Sequence, residues 1–166
     1  MEQQPEPDRG SISQFLGDPF LTDIEVTFPN SKEHPHKMHK FVLAAASGAF
    51  REMFKKKDPA IVTKFTVPPL PPLSQPMIED PYEHLIKYMY NNQDYASIKD
   101  KMQARTIFPV LIAANELKLD KIVADTSRHI AETILDDDSC VQYYIDLAKW
   151  APEDTKFLME KCLQVM

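Results

Sequence analysis

Between residues 68 and 81 the chain reads PPLPPLSQPMIEDP, and this stretch limits what can stand on either side of it. Proline has no backbone N–H and a fixed φ, so such a density of it interrupts any helix and any central strand. Before it, the apolar pattern has period two. In DIEVTF, residues 23–28, Ile24, Val26 and Phe28 fall on one side and Glu25 and Thr27 on the other, as in a half-buried strand. The polar PNSKEHP supplies a turn, and HKMH, residues 36–39, returns as the second arm of a hairpin. IVTKFTV, residues 61–67, is β-branched and alternating and predicts a further strand.

Elsewhere the spacing is helical. SISQFLGDPFL places Ile12, Phe15 and Leu16 on one face, closed by Gly17, and predicts a short helix. KFVLAAAS, residues 40–47, is a compact run of small side chains suited to a short buried helix. Ser47 is then placed to cap a second helix carrying Phe50, Met53 and Phe54. Asp80 and Pro81 predict the N-cap and first residue of a helix over YEHLIKYMY. TIFPVLIAANELKL is a strongly apolar helix, and Asp120 is expected to cap another that buries Ile122, Val123, Ile130 and Ile134. SCVQYYIDLAKWA and PEDTKFLMEKCLQVM predict a closing helix pair. Strands early and helices late indicate an α+β domain, its small sheet on one side of a helical core.

Composition narrows the function. The 166 residues suit about one domain, and 43% hydrophobic with 27% charged residues fits a soluble globular protein. With 19 Lys+Arg against 25 Asp+Glu, a net charge of -6 speaks against nucleic acid as a partner. The basic run Lys55-Lys56-Lys57 reads as a solvated loop diluted by Asp58. Cys140 and Cys162 are too few and too far apart for a disulfide scaffold or a zinc site, and read as reduced, buried thiols. Residues 1–10 are polar, acidic and expected to be disordered, not a secretory signal. No stretch reaches the length of a membrane span, so a cytoplasmic or nuclear setting with no membrane partner is expected.

Catalysis and metals find little support. Three of the five histidines crowd HPHKMHK, residues 34–40. His36 and His39 are an odd number of positions apart and point to opposite faces of a strand, while Pro35 stiffens the turn beside His34. No metal and no cofactor are expected there, and His34 and His36 are expected to face solvent. Asp136-Asp137-Asp138 reads as a capping run rather than a divalent-ion site. The chain has three glycines and no phosphate loop, and no Ser, His and Asp elbow, so it is not expected to be an enzyme. PPLPPL has the composition of a polyproline helix for an SH3 or WW partner. It lacks an Arg or Lys beside the prolines, which favours a plain surface insertion.

Several of these strings resemble one family. Asp23-Ile24-Glu25-Val26, then His39-Lys40-Phe41-Val42-Leu43-Ala44-Ala45-Ala46-Ser47, then Phe50-Arg51-Glu52-Met53-Phe54 are closely similar to the BTB/POZ pattern. Tyr82 to Tyr90 resembles the family's F-x-x-h-L-x-F-I-Y segment, and Leu111 to Leu117 its L-L-x-A-A-x-x-L helix. The resemblance covers residues 11–135, with the proline insertion at 68–81, and residues 136–166 are similar to the 3-box that opens a BACK region.

This resemblance implies a dimerising adaptor module. It places Ile12, Phe15, Leu16 and Val42 at a two-fold interface with a second copy; the alternative is that the N-terminal helix folds back on its own subunit. It sets Asp23 and Lys40 in a charged pocket, or in a simple ion pair, since Lys lacks the guanidinium fork usual there. Carried over to a cullin-3 contact, it names Phe54, Asp58, Pro59, Ala60, Tyr90, Asn91 and Tyr95, together with parts of 139–162. Asp58-Pro59-Ala60 replaces the apolar anchor usual in that loop. The expectation is a cullin-3 ubiquitin-ligase adaptor for an unidentified protein substrate. The alternative is a dimeric scaffold or transcriptional co-regulator module without cullin.

Overall fold

The computed structural model describes residues 12–16, 18–29, 35–73, 77, 79–102, 104–134, 137–150 and 155–165. The leader at 1–10, Gly17, His34 and Asp136 lie outside these residues, as do the side chains of Ile134, Asp137, Asp138 and Cys140. A single 3-10 turn, Ile12–Phe15, opens the fold, followed by strands β1 (Ile24–Thr27) and β2 (His36–Met38). Helices α1 (Lys40–Ala46) and α2 (Gly48–Lys56) come next, then β3 (Lys64–Thr66). Beyond the proline stretch come α3 (Pro81–Tyr90), α4 (Ala96–Lys99), α5 (Ala104–Glu116) and α6 (Asp120–His129). A π-helical segment, Ile130–Ile134, continues α6, and α7 (Asp137–Trp150) and α8 (Lys156–Val165) close the chain.

The sheet has β1 in the middle, antiparallel to β2 and parallel to β3. Its alternation sorts the faces as the sequence predicts. Ile24, Val26, Phe28 and Met38 are buried, while Glu25, Lys37 and Lys64 line the outer face. There Glu25 accepts the Lys64 ammonium at 3.1 Å, across directly opposed positions of β1 and β3. His36 departs from expectation: it is half-buried, its ring edge-on to Phe28 at 5.5 Å. A strand this close to the core shelters even its less apolar side chains.

Helix α5 runs through the centre and packs on α3 and α6. Residues 106–114 are buried without a break, the pattern of a helix covered on all sides. Its end is built by an unusual residue. Lys118 takes a left-handed φ of 51°, Lys118 N–H donates to Asn115 O at 2.9 Å, and Leu119 N–H to Ala114 O at 2.9 Å. That is a Schellman exit with lysine where glycine is usual.

The carbonyls turned out by this exit meet the start of α2. Gly48 N–H donates to Lys118 O at 3.0 Å and Ala49 N–H to Leu117 O at 3.3 Å. Ser47 Oγ donates to Leu117 O at 2.5 Å and accepts from Phe50 N–H at 3.2 Å. The unpaired donors of one helix end thus satisfy the unpaired acceptors of another. Approach this close crowds any side chain at Gly48, where a Cβ would lie 3.0 Å from Lys118 Cβ and 3.3 Å from its carbonyl oxygen.

Other sequence expectations need adjustment. Asp120 is the first residue of α6 rather than its cap; Leu119 is the N-cap and makes no side-chain bond. Asp120 serves the helix from its first turn, where a carboxylate faces the positive end of the dipole. The strand read over 61–67 is confined to Lys64–Thr66, with Ile61 left 76% exposed. By contrast, Asp80 does cap α3, accepting from Tyr82 N–H, with Pro81 leading the helix.

Ser47→Ala removes the cap of α2 and the donor to Leu117 together while leaving every apolar contact in place. It is expected to destabilise the fold by about 2 kcal/mol, read as a lower urea midpoint with an unchanged slope.

Candidate protein-interaction site

The entrance to α1 brings together three separate stretches of chain. His39, buried at the N-cap of α1, has its Nε2 2.8 Å from the Phe20 carbonyl. A carbonyl only accepts, so Nε2 carries a proton, and in the neutral ring Nδ1 is then the acceptor. The Tyr90 hydroxyl donates to that Nδ1 at 2.9 Å and accepts from His39 N–H at 3.1 Å. His39 therefore donates from its side chain to the backbone of a distant loop and does not cap the helix with it. The next N–H, that of Lys40, is held instead by Asp23 Oδ1 at 2.7 Å. Burial raises the pKa of the Tyr90 phenol, and its bond to the His39 backbone works against that rise.

Apolar side chains ring this cluster. Phe15 and Phe41 each place a ring centroid 5.7 Å from that of His39. Ile12 and Phe15 are half-buried against the chain's own core, and the 3-10 turn packs on α3. Outside them the surface is apolar: Phe20 is 61% exposed, Leu21 72% and Phe41 55%, and Leu16, next in sequence to Phe15, is exposed as well. Val42 is not part of that surface. It and Leu43 face the interior, which turns Phe41 outward.

Asp23 and Lys40 meet through backbone rather than through opposite charges. The Lys40 ammonium reaches past Asp23 to the Pro59 carbonyl at 2.6 Å, tying the loop after α2 to the start of α1. In that loop Asp58, Pro59 and Ala60 are exposed and Phe54 is buried. Asp58 Oδ1 accepts from Ala60 N–H at 2.9 Å, an Asx turn that occupies the carboxylate and leaves Ile61 pointing outward.

At the end of α3, Tyr90 is buried and Asn91 half-buried. Asn92 and Gln93 then take left-handed φ values of 55° and 57°. Tyr95 lies half-buried, its hydroxyl 2.9 Å from His129 Nδ1 and its pKa pushed up to about 12 by burial. Burial likewise lowers the pKa of His129. Of the residues named from sequence, the chain thus offers solvent Leu16, Asp23, Asp58, Pro59 and Ala60, while Val42, Phe54 and Tyr90 are buried. Phe20, Leu21, Phe41 and Ile61 are exposed apolar residues that the sequence pattern did not place at the surface. Among the described residues no three His, Cys, Asp or Glu side chains gather as metal ligands would.

Tyr90→Phe keeps the ring and leaves both the His39 N–H and Nδ1 without a partner in a buried place. A loss of about 1–3 kcal/mol is expected, measured as a drop in thermal midpoint by calorimetry.

Comparison with known proteins fits these features. A family model described as BTB/POZ domain matches residues 13–134. The chain is 29% identical over 136 residues to Kelch repeat and BTB domain-containing protein 2 of cowpox virus (strain GRI-90 / Grishak), covering 81% of this chain and 21% of that protein. It is 26% identical over 138 residues to the protein of the same name from ectromelia virus (strain Moscow), with the same shares covered. The chain spans 21% of the length of these curated relatives. The matched residues span the hairpin, α1 to α6 and the cluster at His39, and the chain belongs to the BTB/POZ domain family.

Proposed function

We propose that the chain pairs with a second copy of itself through the apolar surface around His39 and, as a dimer, serves as an adaptor for a cullin-3 ubiquitin ligase. The family supplies the coarser statement, that this is a protein-interaction fold. The observation that carries the finer one is the cluster of Leu16, Phe20, Leu21 and Phe41, exposed in a single chain and sitting on a hydrogen-bonded base. Solvent-facing apolar clusters of this kind mark association surfaces, and a two-fold pairing needs only one such self-complementary patch. The outer edge of the N-terminal turn serves the partner while its inner edge stays on its own core.

The cullin assignment is supported by two features. Ile61, exposed directly after Asp58-Pro59-Ala60, offers the apolar anchor that the sequence of the loop lacked at Asp58. Helices α7 and α8, the pair whose sequence resembles a 3-box, pack on each other, with α8 also against the π segment. The relatives' names give Kelch repeats beside the BTB domain; by analogy, the substrate is read outside these residues. The second reading, a dimeric scaffold without cullin, is favoured by the exposed Asp58 carboxylate at the expected contact.

Sedimentation at micromolar concentration is expected to give a dimer, and Phe41→Asp a monomer with an unchanged circular dichroism spectrum. A wild-type monomer sinks the pairing. Calorimetric titration with the N-terminal domain of cullin-3 is expected to give submicromolar binding at one cullin per chain, weakened at least tenfold by Ile61→Asp. Folded protein that gives no heat points to the scaffold instead.

A further inference from the structure

We propose that residues 68–73, PPLPPL, are a pre-formed polyproline ligand displayed by the domain, and that its partner is a WW-type groove built from aromatic rings. The segment has neither helix nor strand, and its burial returns every third residue: Val67 is buried, and Leu70 and Leu73 are half-buried against the core. Three residues per turn is the period of a polyproline II helix, which has three edges. One edge, 67–70–73, faces the domain. The other two are Pro68 with Pro71 and Pro69 with Pro72; Pro68, Pro69 and Pro72 are exposed and Pro71 is half-buried.

Grooves that read polyproline grip two edges of the helix and leave the third free. Here the domain holds that third edge. Val67 N–H donates to Thr27 O at 2.9 Å, and the buried Tyr82 hydroxyl donates to Pro68 O at 3.4 Å. A ligand held in its bound conformation loses less freedom on binding than a free peptide. The plain insertion read from sequence therefore has a built underside and a built outer face.

Charge selects the kind of groove. From Phe65 to Ile86 the chain has no Lys or Arg, and the Lys64 ammonium is engaged with Glu25. An SH3 groove that relies on acidic side chains finds no cation to pair with, whereas a slot of aromatic faces needs only the prolines. This inference is independent of the dimer and cullin readings.

The whole chain should be titrated into an isotope-labelled WW domain selected for Pro-Pro-Leu-Pro peptides, with an acidic SH3 domain alongside. Saturable binding to the WW domain is expected. Pro69→Ala with Pro72→Ala should weaken it at least tenfold with no change in thermal midpoint, and Pro72→Ala alone in the same direction. A synthetic peptide of residues 66–75 should bind more weakly than the folded chain. The proposal is overturned by binding only to the SH3 domain, by no binding from the folded chain, or by binding that the proline substitutions leave intact.

Discussion

The fold turns on a meeting of two helix ends. Helix α5 exits through Lys118 in a conformation most residues avoid, and the start of α2 closes on the carbonyls this exposes. Each end cancels a deficit of the other, since the first N–H groups and last carbonyls of helices have no partners inside their own helix. Lys118 then adds a 2.9 Å ion pair to Glu52 on the rim, which holds the Glu52 carboxyl below its usual range. Arg51 completes the arrangement from the far side, its guanidinium donating to Ala44 O at 2.9 Å and Ala45 O at 3.1 Å at the end of α1. With α1 and α2 docked on the central helix in this way, the direction in which α1 presents its side chains is set.

That direction decides which side chains α1 presents to solvent. Once Val42 and Leu43 are committed to the interior, Phe41 is left outside, beside the turn that carries Phe20 and Leu21. The hydrogen bonds at His39 and Asp23 fix the same turn to the helix, so the apolar surface rests on a polar, fully bonded base. Lys40 links this surface to the loop at Pro59. The two regions proposed for association are thus joined by one side chain, and a partner seated on one would meet the edge of the other.

Much of this was legible in the sequence where the signal is local. Strict alternation over 23–28 reports burial directly, and the face assignment of Ile24, Val26 and Phe28 holds. The start of α3 was legible for the same reason, because Asp80 and Pro81 act within one turn. Misreadings arose where tertiary context decides. KFVLAAA has apolar residues on opposing faces, so nothing in it says that Val42 goes in and Phe41 out. Helix α4 is four residues long and has no room for a period. The cap of α6 went to Leu119 because α5 ends on the preceding left-handed residue, a lysine that carries no glycine signal. Tyr90 showed only an aromatic at the end of a helix; its hydroxyl matters through a residue far away in sequence.

That distance bears on how the chain acquires its structure. The bond from Ser47 to Leu117 joins residues 70 positions apart, and that from His39 to Tyr90 residues 51 apart. Parallel pairing of β1 with β3 also needs a long crossover rather than a tight turn. Such contacts stabilise only after the loop between them has closed, so topology of this kind slows folding relative to a bundle of local helices. During synthesis from the N-terminus, the hairpin and α1–α2 exist before the surfaces that complete them. Their apolar faces stay open until later segments arrive, Phe50 for instance lacking the Phe65 ring of β3 that packs on it at 5.3 Å, and this makes the first half of translation a period of exposure to aggregation.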